Sequence, residues 1–285
     1  MFQAEKEEGI ESKLRHPSTD RHYFAEYPFQ NGGGVKFFQK RFSFENYYIP
    51  EGVADPQLEQ YLSYLVAFAR QNNHRPFAKF CRFALRTQWL KRTLPSVSCY
   101  VVRAPETMFR SYWSLGGRDS YFLSGLVLIL SKNRECPLFR EFVESISLPY
   151  IEAPTVQDEI TAAHRFSQSL DVQALRDIFL LLWVLTLEHN LAFGDFVLDV
   201  DLLAIDPSYR EFMASMMADS LGVSMSFDDV QQPRSQEAPG TVVSPARLEV
   251  IGRAARQIPV SYDLAMGRRI GPESESVLEQ VLARV

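Results

Sequence analysis

The alternation of apolar and polar positions is clearest around residues 97–113. Val97 to Val102 is a short apolar, β-rich run, the pattern of a buried strand. Arg103 stands at its end, and Pro105 suits the first turn of a helix, where a missing N–H costs nothing. Glu106 follows, where the helix dipole favours an acid, and Met108, Phe109, Tyr112 and Trp113 recur at helical spacing. The pattern predicts a strand, a tight turn and a helix, with a cation at the carboxyl end of the strand and the Ser111 hydroxyl two turns into the helix.

The same reading predicts a helix from Asp55-Pro56 to about Asn73, with Leu58, Tyr61, Leu62, Leu65, Val66 and Ala69 on one face. It predicts a short strand over Arg75–Arg82 and a basic helix over Phe83–Arg92. Helices are expected at 120–132, Pro137–Ser145, Asp171–Phe193, Tyr209–Gly222, 245–257 and Ser274–Val285, and a further strand at Asp195–Val200. Strand, helix, strand, helix implies parallel pairing with right-handed crossovers. Lys79 and Arg103 would then sit at the carboxyl ends of neighbouring strands, where open α/β sheets bind ligands.

Composition narrows the class. The 285 residues are 46% hydrophobic and 23% charged, with a net charge of −5. That balance suits one α/β domain with appendages, and argues against a general nucleic-acid or anionic-membrane surface. Cys81, Cys99 and Cys136 have no CxxC spacing, which favours a reducing compartment and no zinc site. The first residues are acidic rather than basic then apolar, so no signal peptide is read, and Ile178–Leu185 is too short an apolar run to span a bilayer. The expectation is a cytoplasmic protein without membrane insertion, nucleic acid or metal.

Most candidate chemistry has a plain alternative. Asn31-Gly32-Gly33-Gly34 reads as a loop, since no strand precedes it. His16 and His22 read as loop residues and His189 as a core or boundary histidine. Taken alone, Arg103 reads as a strand-end cation capping a surface carboxylate. Arg82 and Arg86, one helical turn apart, face either one anion or solvent.

Arg103-x-Pro105, with Ser111 and Tyr112, resembles the 3′-phosphate-binding motif R-(D/N)-P-x-D-x-x-x-S-Y of sulfotransferases that use 3′-phosphoadenosine 5′-phosphosulfate (PAPS). Ala104 and Thr107 depart from it. Lys79-Phe80-Cys81 falls where that family carries K-x-H, with Cys81 replacing the histidine base, and Arg75–Arg86 is similar to the K-F-x-R-x-x-x-R of bacterial members. Leu198-Asp199-Val200-Asp201-Leu202-Leu203, followed by Asp206-Pro207, Phe212 and Leu221-Gly222, resembles the Y-E-D-L-x-x-D-P…F-L-G segment near the end of the domain. The resemblance covers roughly 75–223.

The resemblance implies a P-loop-NTPase-like α/β fold, a parallel sheet flanked by helices with a helix-rich C-terminal half. It implies sulfonate transfer from PAPS to a hydroxyl or amine of a small-molecule or glycan acceptor. Arg103 and Ser111 would bind the 3′-phosphate, with Arg82 and Arg86 as further anion ligands, and Lys79 would offset developing charge. Arg247, or Arg268 and Arg269, would stand for the family's late basic loop. The family's opening phosphosulfate loop, roughly P-K-(S/A)-G-(T/S)-(T/S), has no counterpart before Lys79. A lost upstream segment, another loop in its place, or a non-catalytic module using the same crevice would each account for that. A generic nucleotide-binding protein is the third reading. The expected organisation is an irregular region at 1–54, the α/β domain at 55–226, and a linker with C-terminal helices at 227–285.

Overall fold

The computed structural model describes residues 37–78, 82–230 and 244–258. They fall into two compact units, one running through Phe42 and resuming at Asp55–Pro76, the other comprising Ser43–Ala54 and the chain from Phe77 onwards.

The first unit is built on helix α1, Pro56–Gln71. Asp55 caps it by accepting from Leu58 N at 3.1 Å, and Pro56 occupies the first position, as the sequence predicts. The Asp55 carboxylate also takes both ends of the Arg41 guanidinium, at 2.7 and 2.6 Å. Tyr61 stacks on Phe42 with ring centres 5.5 Å apart.

In the second unit the helices are α2 (Thr87–Thr93), α3 (Pro105–Trp113), α4 (Tyr121–Lys132), α5 (Pro137–Ser145), α6 (Val156–Ser169), α7 (Val172–Phe193), α8 (Val200–Ile205), α9 (Pro207–Leu221) and α10 (Pro245–Ala255). The described residues hold two strands, β1 (Cys99–Val102) and β2 (Phe196–Asp199), paired in parallel with Cys99 opposite Phe196 and Val102 opposite Asp199. The unit is mostly helical around this small sheet, an arrangement compatible with an α/β fold. No described helix is long and apolar enough to cross a membrane.

Helix α7 is the centre of the core. Every residue from Leu175 to Asn190 is buried, because α2, α3, α4 and α10 all pack on it. Asp171 caps it through Ala174 N at 2.7 Å. It ends at Gly194, where a Cβ would lie 2.5 Å from the Asn190 carbonyl oxygen, so the sharp turn into β2 needs a residue without a side chain. On β1, Tyr100 and Val102 pack toward the core while Cys99 and Val101 are exposed. Leu198 of β2 packs with Leu203 and Met213 from α8 and α9. Gly222, in the left-handed conformation, closes α9.

Three expectations need correction. The described part of the predicted strand over Arg75–Arg82, residues 75–78 and Arg82, is not in a strand, and Phe77 is 88% exposed. Pro76 lacks a ladder donor and charges interrupt the alternation, so nothing buries that stretch. Among the described residues the strand paired with β1 is β2; Lys79 lies outside them. The basic helix expected from Phe83 begins instead as a 3-10 turn, Ala84–Arg86, before α2. Helix α6 has no counterpart among the predicted elements. Its buried stripe is Glu159, Ile160, Ala163 and Ser167, half of it polar, so the segment is polar on average and offers few large apolar residues to mark a helix. The expected loop or linker around Phe227–Gly240 and the terminal helix at Ser274–Val285 lie wholly or largely outside the described residues.

Candidate functional site

The carboxyl ends of β1 and β2 lie side by side, because Val102 and Asp199 are partners in the ladder. The chain beyond each strand turns into a helix start. After β1 come Arg103, Ala104 at the helix cap and Pro105 as the first residue of α3. After β2, Asp199 caps α8 by accepting from Asp201 N at 2.9 Å and Leu202 N at 3.1 Å. That cap projects the Asp201 carboxylate toward β1. Its Oδ1 accepts from Arg103 Nε at 3.1 Å, and its Oδ2 accepts from Ala104 N at 2.8 Å. From the other side, Trp183 Nε1 of α7 donates to the Arg103 carbonyl at 3.1 Å. The Arg103 backbone and Nε are thus fixed, while its two Nη groups have no hydrogen-bond partner among the described residues. Arg103 and Asp201 are both partly exposed, with 23% and 27% of their side chains open to solvent.

The opposite ends of the strands are also joined through an acid. Asp195 accepts from Ser98 N at 2.9 Å and Ser98 Oγ at 3.0 Å, and pairs with Lys91 Nζ at 2.6 Å. Burial works against the charge of Asp195, but the bonds from Lys91 and Ser98 hold its pKa below the ordinary carboxylate value. Next to the crevice, Glu106 in the first turn of α3 pairs with Arg176 of α7, and a small hollow lies between them, lined also by Pro105, Phe109, Phe179 and Leu180.

The expected site residues separate into three groups. Arg103 sits where the sequence puts it, at the strand end, and it does cap a carboxylate. Ser111 is exposed on α3, and its backbone carbonyl accepts from Ser114 Oγ at 2.8 Å. Arg82 and Arg86 do not converge on Arg103. Arg82 Nη2 donates to Tyr121 Oη at 2.9 Å, and its guanidinium lies 4.1 Å from the centre of the Phe44 ring. Arg86 is only 1% exposed; its Nε donates to the Asn46 carbonyl at 2.5 Å, its Nη2 donates to the Glu45 carbonyl, and its guanidinium covers the Phe83 ring. Arg86 therefore pins the 44–47 loop and is not placed to meet an anion from solvent. Lys79, Cys81, His16, His22, the Asn31–Gly34 loop, Arg268 and Arg269 lie outside the described residues. Arg247 docks α10, pairing with Asp177 at 3.6 Å and with Ser145 Oγ.

Asp201 is the residue that reading the chain by segments passes over. The two segments that carry the resemblance meet through it, 98 positions apart. The available signal was the strand at Asp195–Val200: once it is laid parallel to Cys99–Val102, the acids that follow it come beside Arg103. Comparisons with protein-family models, with curated proteins and with solved structures found no match.

Proposed function

We propose that the crevice at the carboxyl ends of β1 and β2 binds the 3′-phosphate of PAPS, and that the protein is a sulfotransferase acting on a hydroxyl or amine of a small-molecule or glycan acceptor. The observation that supports this reading is Arg103, held by its backbone and Nε at the turn into α3 with both Nη groups left for an anion. A guanidinium beside a helix start is suited to a phosphomonoester. In the reaction the acceptor oxygen or nitrogen attacks sulfur in line. The bond from sulfur to the 5′-phosphate oxygen breaks, and the acceptor's proton is released with 3′-phosphoadenosine 5′-phosphate. Lys79 is assigned the neutralisation of charge on the transferring sulfonate, Ser111 a bond to the 3′-phosphate, and no residue is assigned as general base. Three cysteines, an odd number without CxxC spacing, support a cytoplasmic setting.

A second reading, a non-catalytic module of the same type, is favoured by the closure of Asp201 on Arg103 and by the loss of Arg86 to the 44–47 loop. Calorimetric titration with 3′-phosphoadenosine 5′-phosphate tests the crevice. Wild type binds, and Arg103→Ala loses roughly ten- to a hundredfold in affinity, the worth of a charged hydrogen bond. Absence of binding by wild type and by variants that open the crevice sinks both readings. Binding without product formation from PAPS, across phenol, alcohol and amine acceptors, selects the module.

A further inference from the structure

We propose that Asp201 is a built-in competitor for the anion that Arg103 takes, so that the crevice is occupied by the protein's own carboxylate until a phosphomonoester displaces it; this rests on the reading of the site given above. The two oxygens of Asp201 are engaged by a guanidinium N–H and by a backbone N–H at a helix start. Those are the donors that a pair of phosphate oxygens takes. The carboxylate thus stands where the ligand's charge would stand, and the two cannot share those donors.

The side chain is also built to leave. Helix α8 is capped by Asp199, not by Asp201, so turning Asp201 outward leaves the cap bonds to Asp201 N and Leu202 N in place. Among the described residues its carboxylate has no donor besides Arg103 and Ala104, and it already borders solvent. An arriving dianion first meets the free Nη groups of Arg103. It then repels the carboxylate at short range, where the interaction of like charges is strong. A carboxylate kept only to aim Arg103 would act with the opposite sign, since its removal would leave the guanidinium loose.

The sign is read by calorimetric titration of the full chain with 3′-phosphoadenosine 5′-phosphate. Asp201→Asn keeps an acceptor for Ala104 N and removes the charge; it binds at least about tenfold more tightly than wild type. The gain disappears in the double variant with Arg103→Ala. Glu135→Gln, which removes an exposed carboxylate that does not touch Arg103, binds as wild type does. Equal or weaker binding by Asp201→Asn overturns the proposal while leaving the site reading intact. So does an equal gain in Glu135→Gln, or a gain that survives the loss of Arg103. No binding by wild type or Asp201→Asn removes the site reading and the proposal together. Asp201→Ser serves the same comparison if the asparagine variant does not fold.

Discussion

His189 lies wholly inside the protein, its ring against Tyr48 and Phe193. Nε2 accepts from Gln88 N at 3.4 Å, and Nδ1 has no hydrogen-bond partner among the described residues. Burial pushes its pKa down to about 3. The unfolded chain takes up a proton here below about pH 6.5, whereas the folded chain does so only near pH 3. Stability from this position is complete above pH 6.5 and falls by about 1.4 kcal/mol per unit as the pH drops through that window. His189→Gln removes the slope. Between pH 7 and pH 4.5, denaturant titrations should show wild type losing about 2–3 kcal/mol more than the variant; parallel losses would refute the assignment. The apolar run before His189 made its burial legible in the sequence. Arg86 was not legible in the same way. Its spacing from Arg82 leaves a shared anion and solvent equally open, but its partners lie 40 and 41 positions away, in a loop that no local pattern connects to it.

Between elements, the contact of α4 with α6 carries a buried ion pair. Lys132 Nζ and Glu159 Oε1 are 2.6 Å apart with 2% of each side chain exposed, and the ammonium sits 4.9 Å from the centre of the Tyr150 ring. Burial alone would lower the Lys132 pKa, but the hydrogen bond and charge of Glu159 raise it. Glu159→Ala strands the ammonium and costs about 3–5 kcal/mol, whereas Lys132→Met with Glu159→Leu recovers most of that loss. Chemical denaturation of wild type and the two variants measures the difference, and a double variant no more stable than Glu159→Ala contradicts it. The interface also explains a gap in the sequence reading. Helix α5 has a strong apolar period and α7 a long, nearly unbroken apolar run, and both are legible, with Phe139, Phe142 and Val143 inward as expected. Helix α6 is polar on average and buries a charge and a serine toward α4, so its helical spacing carries few large apolar residues to reveal it.

Across the molecule, the strand–turn–helix with Arg103 could be read from local order because each part has its own chemistry: a β-rich run, a proline at a helix start, an acid in the first turn. The choice of partner strand could not. The described residues of the nearer run, 75–78 and 82, are not in a strand although their composition reads as one, since pairing is decided by what buries both faces and not by proximity in sequence. In the folded protein β1 waits for Phe196–Asp199, and α3 to α7 lie between the two.

That separation governs when the crevice exists. Helices form and pack through local contacts, whereas a parallel pair closing so long a stretch forms late and opens early. Amide hydrogen exchange should show β1 and β2 exchanging sooner than the middle of α7; strands that outlast α7 would reverse that order. The crevice is then a late-closing seam, fastened at one end by Asp195 and at the other by Asp201, and a ligand gripped by Arg103 would be holding shut the part of the chain that closes last.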